Sequence, residues 1–411
     1  MDDSFDAMLS RFAEVAVKVG VGLLPGQKLM IRSPLEAAPL ARKLAEEAYK
    51  AGSRFVTVNW LDEQVALARY KYAPRDSFEE FDAWRVDGLV RAIDEGTGVL
   101  NISADNPTLL KDQDPELIRK TSQTASRYTK PYIERITSFA VNWCIVPAAT
   151  PAWASQIFPA LTQEEQMKKL WDAIFEVTRM NEKDPVAAWK AHTASLQERV
   201  NFLNARRYKA LHFKGPGTDL IVGLADGHLW AGGAGKAKNG STCIPNMPTE
   251  EVFTTPHRSY VEGYVTSTKP LSLHGNLIEG IRVRFEQGKA VEIGADKGET
   301  VLKNLLDTDE GAKRLGEVAL VPHSSPVSKS GILFYDTLFD ENAASHIAFG
   351  RAYDECLEGS TELSAGQKAT KGFNDSLIHT DWMIGSGQVD VDGISQNGQV
   401  EPLMRAGEWV S

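Results

Sequence analysis

The sequence predicts an α/β domain with an αβαβ start and a mostly parallel sheet, followed by an α+β domain that is largely antiparallel. Three observations carry that expectation. At 411 residues the chain is too long for one comfortable hydrophobic core, and its 42% hydrophobic content is that of an ordinary globular protein. Its opening segments alternate helical and strand periodicity. From Tyr208 onward the grammar changes to short alternating strands punctuated by glycine. The expected domains are therefore 1–205 and 206–411.

Taken in order, Phe5, Leu9, Phe12, Ala13 and Ala16 recur at helical spacing, and Pro25 with Gly26 makes a turn before a short strand in "KLMIRSP". "LEAAPLARKLAEEAYKAG" reads as a helix closed by Gly52, "RFVTVNW" as the next strand, and "GTGVLNISADNP" as a further buried strand leading into a loop. Residues 110–205 are mostly helical by pattern, with Thr162 as a cap and a stripe at Met167, Leu170, Ile174 and Val177. The uncharged stretch from Phe139 to Leu161 contains Pro147, Pro151 and Pro159, which suits a buried irregular segment better than a membrane helix. "YVEGYVTSTKPL", "NLIEGIRVRFEQGKAVEIGA" and "EVALVP" supply the strands of the second half, and no repeat of fixed period is present.

Composition removes several function classes. Lys and Arg total 45 against 55 Asp and Glu, and a net charge of -10 repels polyanions, so no nucleic-acid partner is expected. Cys144, Cys243 and Cys356 lie far apart without a CxxC, which supports neither a disulfide framework nor a cysteine zinc knuckle and fits a reducing cytoplasm. The N-terminus places acids first and shows no basic-then-apolar run, so neither a secretory signal nor a membrane partner is expected.

Seven of the eight histidines lie in the second half: His212, His228, His257, His274, His323, His346 and His379. In "HTDW", His379 and Asp381 are two apart, so in an extended strand both side chains leave one face and converge on a common spot. Glu250 and Glu251 stand at the head of a strand in "EEVFTT", where they are either exposed strand-end groups or acids facing a cavity. Glu317 heads the apolar run "EVALVP" after Gly316, expected to close a helix; it is a surface group or a ligand at a sheet end. "DTLFDENAASHIAFGRAYDE" gathers Asp336, Asp340, Glu341, His346 and Tyr353, with Glu341 and His346 at a spacing that suits a turn.

A two-metal centre needs about five or six such ligands with one bridging carboxylate, and Glu251, Glu317, Glu341, His346, His379 and Asp381 supply that number. Competing motifs fall away. There is no HExxH helix, no GxSxG elbow and no GxGxxG after the first strand. "WAGGAGKAKNG" fails as a phosphate loop because Trp230 replaces the first glycine and Ala237 the hydroxyl residue, leaving a flexible glycine loop.

The ordered runs "PNMPTEEVFTTPHR", "GEVALV", "LFDENAASHIAFGRAY" and "HTDWMIGS", with "LLPGQ", "PLARKLAEEAYKAG" and "VTVNWLDE" before them, resemble the thermophilic metallo-aminopeptidases, the group of aminopeptidase T, aminopeptidase S and PepS. That resemblance covers essentially the whole chain. It implies that Glu251, Glu317, Glu341, His346, His379 and Asp381 hold two divalent metal ions (zinc, cobalt, manganese or magnesium) and that Tyr353 lies beside them. It further implies a homodimer whose enclosed cavity admits short peptides with a free N-terminus. Glu317, between the other ligands in sequence, is the expected bridge; Glu250 is the expected general base, with His257 next, and the Tyr353 hydroxyl the expected oxyanion donor. Two other readings compete: a dinuclear hydrolase of another amide or a phosphoester, and a non-catalytic metal-stabilised protein that binds a small molecule.

Overall fold

The computed structural model describes residues 3–273 and 275–410, so His274 lies outside the described residues. The chain divides into two compact units. One comprises Met1–Thr193 with Ala234–Pro248, the other Ala194–Gly233 with Thr249–Ser411.

The first unit is built on four parallel strands in which Lys28–Pro34 lies between Phe55–Leu61 and Gly98–Ser103, with Trp143–Pro147 beyond. Parallel neighbours need crossovers, and the helices Ala38–Lys50, Ala83–Asp94 and Pro115–Thr137 supply them. The inner strands read as near-continuous apolar runs because both faces are covered: Leu29, Met30, Ile31, Val99 and Leu100 are all buried.

The stretch from Phe139 to Leu161 is more regular than its prolines suggest. It holds the fourth strand and the helix Pro151–Ile157, with Pro147 ending the strand and Pro151 opening the helix, where a missing N–H costs nothing. Thr150 caps that helix through the Trp153 N–H, and Thr162 with Glu165 forms a full capping box on Gln163–Val177. The glycine run is packed rather than loose. A side-chain carbon on Gly235 would lie 2.1 Å from the Phe139 ring, and Gly235–Lys236 pairs with Thr242–Cys243. All three cysteines are buried free thiols, and no helix among the described residues is long and apolar enough to cross a membrane.

The second unit carries an eight-stranded sheet and a four-stranded sheet. In the larger, Pro256–Thr266, Thr218–Leu224, Ala210–Gly215 and Asp390–Ile394 are central and antiparallel. In the smaller, also antiparallel, the order is His379–Met383, His346–Gly350, Leu315–Leu320, Val252–Thr254. One core joins them, in which Phe213, Val222, Val261 and Phe285 share a cluster with Val318, Ile347, Phe349 and Trp382. The structure therefore has the predicted class, a parallel α/β sheet and antiparallel sheets in separate parts.

Candidate metal centre

The four-stranded sheet sorts its residues by a period of two. Across the strands Glu317 stands opposite Ala348 and Ala348 opposite Asp381; Phe253 stands opposite Ala319, and Ala319 opposite His346. Residues two apart share a face, so Glu251, Glu317, His346, His379 and Asp381 all belong to that of Ala319 and Ala348. Two alanines at the middle of the patch leave room above the sheet. Val252, Val318, Ile347 and Trp382 alternate onto the opposite face and enter the core.

Gly316 does not close a helix, as expected from the sequence; it lies within the strand Leu315–Leu320. Register shifts there, with Leu315 opposite Phe349 but Glu317 opposite Ala348, so Gly316 is the extra residue of a bulge. A side-chain carbon at Gly316 would lie 2.2 Å from the Arg351 carbonyl oxygen, which explains glycine at this place. The bulge sets the Glu317 side chain on the acid face. Gly232, at φ +155, meets a similar limit: a side-chain carbon there would lie 2.6 Å from the Glu251 carbonyl oxygen.

The converging atoms form two overlapping triads, Glu251, Glu317 and His346, and Glu317, His379 and Asp381, each within 4.8 Å. Glu317 is common to both. Its Oε1 is 3.6 Å from His346 Nε2 and its Oε2 is 3.3 Å from His379 Nε2. Glu251 Oε2 stands 3.2 Å from His346 Nε2, while Asp381 Oδ1 is 3.4 Å from His379 Nε2 and 4.0 Å from His346 Nε2. Glu341 lies on the one-turn helix Glu341–Ala343, outside both triads but near enough for Glu251 and Asp381 to act on its charge.

Each imidazole is anchored through Nδ1 and turns its Nε2 toward the cluster. His346 Nδ1 lies 3.1 Å from the Ala344 carbonyl and His379 Nδ1 2.6 Å from the Arg351 carbonyl, so in both rings the proton sits on Nδ1 and the Nε2 lone pair faces the cluster. Glu251 Oε2, His346 Nε2, His379 Nε2 and Asp381 Oδ1 are buried and make no hydrogen bond among the described residues. Buried polar atoms left so are costly, and a set of three carboxylates and two imidazoles pointing at one space has the donor chemistry of a divalent-ion site. The residues fit the group.

The electrostatics agree. Burial, aided by Glu317 and Asp381, lifts the Glu251 carboxyl above its ordinary range, against the pull of His346. Glu341 is raised further by burial and by Glu251 and Asp381. His346 and His379 are raised despite burial, His346 chiefly by Glu251 and Glu317 and His379 by Asp381 and Glu317. Asp381 is lowered, against its burial, by His379 and then His346. Without cations the cluster holds protons where it would otherwise hold metal.

Glu250 and Glu251 are not exposed strand-end groups: both are buried, at 4% and 6%. The Glu250 N–H donates to Asn342 Oδ1 at 2.6 Å, and Asn342 Nδ2 donates to the Leu338 carbonyl, which ties the Glu250 backbone to the segment carrying Glu341. Tyr353 packs its ring 4.5 Å from that of His379 and edge-on to Phe253. His257 is elsewhere, on the wall of a separate cavity. Sequence reasoning missed Asn342 and Glu355, whose carboxyl is pushed up to about 7 by burial and by Glu317; only the polar cluster around each could have flagged them.

The sequence matches the family described as thermophilic metalloprotease (M29) over residues 5–409. Aminopeptidase T of Thermus thermophilus is 52% identical over 408 residues, covering 99% of this chain and 100% of that protein. Aminopeptidase 2 of Geobacillus stearothermophilus is 46% identical over 401 residues, 98% of this chain and 97% of that one. A solved structure of wild-type AmpT from Thermus thermophilus superposes with a TM-score of 0.94 at 51% identity, covering 99% of this chain and 100% of the other.

Proposed function

The chain belongs to the thermophilic metalloprotease family M29, and from that premise we propose that it is an aminopeptidase acting through two divalent ions held by Glu251, Glu317, Glu341, His346, His379 and Asp381. The observation that carries the reading is the placement of the two Glu317 oxygens, one toward each imidazole, as a bridging carboxylate requires. Zinc, cobalt, manganese and magnesium all suit a mixed carboxylate and imidazole set.

Held by these residues, divalent ions would supply an acidified water and polarise the scissile carbonyl. The chain's own groups do the rest. Glu250, buried beside Glu251 and anchored through Asn342, takes the proton of the attacking water and returns it to the leaving amine. Burial first, then Glu317 and Asp381, holds the Tyr353 hydroxyl far above its ordinary pKa, so it stays protonated and donates to the oxyanion that forms on the carbonyl. Glu341, near enough to Glu251 and Asp381 to feel their charge, completes the ligand set in this reading, and the acidic site as a whole favours the substrate's free α-amine. Short peptides with an unblocked N-terminus are the substrates of this reading, a homodimer its assembly and the reducing cytoplasm its setting, in keeping with three free thiols.

The test is release of leucine from leucine p-nitroanilide and a leucyl dipeptide, after chelation and again after cobalt, zinc or magnesium is restored. Activity should vanish with the metal, return with it, and be absent on acetylated N-termini. Equal turnover of acetylated peptides would overturn the exopeptidase reading, and activity indifferent to chelation the metal reading.

A further inference from the structure

A cavity of about 310 Å³ opens in the second unit, and no residue of the metal cluster lines it. Its wall is made where the helix Pro185–Arg206 gives way to the strand Ala210–Gly215, by the turn after Thr218–Leu224, and by the strand Pro256–Thr266. Arg207, Lys209, Asp226, His228, His257 and Tyr260 supply its chemistry.

The wall has donors and acceptors of distinct kinds. Arg207 is exposed, and its carboxylate neighbour among the described residues, Glu358, is loose, at 3.7 Å. Lys209 has no carboxylate within 4.0 Å among the described residues, and its ammonium lies 5.5 Å over the Tyr260 ring. His257 Nδ1 accepts the Ser259 N–H at 3.1 Å, which leaves the ring proton on Nε2 as a donor. His228 is arranged the opposite way. Its Nδ1 lies 3.0 Å from the Ala225 carbonyl and so carries the proton, leaving a lone pair on Nε2. His228 is 5% exposed, and that Nε2 is buried with no hydrogen-bond partner among the described residues. Burial, with Arg207 adding to it, keeps the ring neutral. Asp226 adds an exposed carboxylate on the same side.

We propose that this cavity is a second binding site, for the zwitterion of a free α-amino acid. Arg207, Lys209 and His257 Nε2 take the carboxylate, the exposed Asp226 carboxylate takes the ammonium, and the Tyr260 ring flanks the side chain. Inorganic phosphate would satisfy the cations but face Asp226 with like charge. A metal ion would find one carboxylate and two fixed cations. The volume stands at the low end of small-molecule sites, roughly 300–1,000 Å³, and suits one amino acid better than a nucleotide. The turn bearing His228 continues to Ala231, which pairs with Phe253, two residues from Glu251. The inference does not rest on the metal cluster turning over peptides, although a free amino acid is what that reaction releases.

The test is calorimetric titration of the full-length, metal-stripped protein with leucine, so that the metal cluster cannot bind the amino acid through its ions. One leucine should bind per chain, with N-acetylleucine, leucinamide and inorganic phosphate each at least about tenfold weaker, since each lacks one of the paired charges. The exposed Lys209→Glu substitution should weaken leucine at least about tenfold and leave turnover of leucine p-nitroanilide by the metal-loaded enzyme unchanged. Absence of leucine binding, phosphate binding as tight as leucine, or a Lys209→Glu protein that binds leucine normally would each overturn the site. Should the stripped protein melt, equilibrium dialysis of the loaded enzyme replaces it: one leucine fewer per chain in Lys209→Glu than in the parent supports the site, and equal numbers overturn it.

Discussion

The two faces of the sheet that carries His379 are made by the same strands and could hardly differ more. One presents Glu251, Glu317, His346, His379 and Asp381 around two alanines; the other sends Val252, Val318, Ile347 and Trp382 into the core. Phe349 stacks on Trp382 with ring centroids 5.4 Å apart, within the same apolar layer. Buried carboxylates and imidazoles are costly to hold together without a cation, so the apolar face must supply the stability that the polar face consumes. The comparison teaches why the charges stay in place: a slip of one residue in any strand would exchange the faces, and the apolar layer forbids it.

The largest effect expected from breaking the polar face alone comes from Glu317→Gln. Activity should fall well beyond about a hundredfold, the scale on which even outer partners of a metal ligand tell, while thermal unfolding of the metal-free protein changes little or improves. Tyr353→Phe should lower kcat by about 10²–10³ with KM nearly constant, as the proposed oxyanion donor requires, since such a donor acts in the transition state. The opposite face should answer in the opposite currency. Phe349→Ala should destabilise the protein by about 3–5 kcal/mol in chemical denaturation, while the folded fraction keeps its metal content and its KM.

The smallest effect is one of pH. In metal-free protein, Glu251 and Glu341 are raised from an ordinary 4.5 and His346 and His379 from 6.5, so the folded state holds more protons than the unfolded one. Stability must then fall as pH rises. Asp381 is shifted the other way, but its contribution is lost only below the ordinary carboxylate range. The melting temperature of chelated protein should therefore drop between about pH 6 and about pH 8, and the metal-loaded protein, whose ligands are already deprotonated, should show a flatter profile. A chelated protein that gains stability over that interval would contradict the charge assignment.

Much of this was legible in the chain. "HTDW" announced a shared strand face, the alternation in "EVALVP" announced a strand, and "DENAASH" announced a turn between an acid and an imidazole. What the sequence hid was long-range. Gly316 looked like a helix stop because a glycine after a helical pattern ordinarily is one; its reason is the approach of the Arg351 carbonyl, from a strand end far along the chain. The strand Trp143–Pro147 was obscured by prolines that in fact mark element ends. Nor could spacing show that the Ala344 and Arg351 carbonyls fix both imidazole tautomers, since a backbone acceptor carries no signature in sequence.

The central claim is that Glu317 is shared by two ions, and metal counting tests it most directly. Chelated protein is titrated with zinc or cobalt, the bound metal per chain is measured by mass spectrometry of the dialysed protein, and peptide turnover is followed in parallel. The account predicts two ions per chain at full activity, falling to one or none in Glu317→Gln with activity lost. A single ion per chain at full activity, or a Glu317→Gln protein that still holds two and turns over substrate, would contradict it.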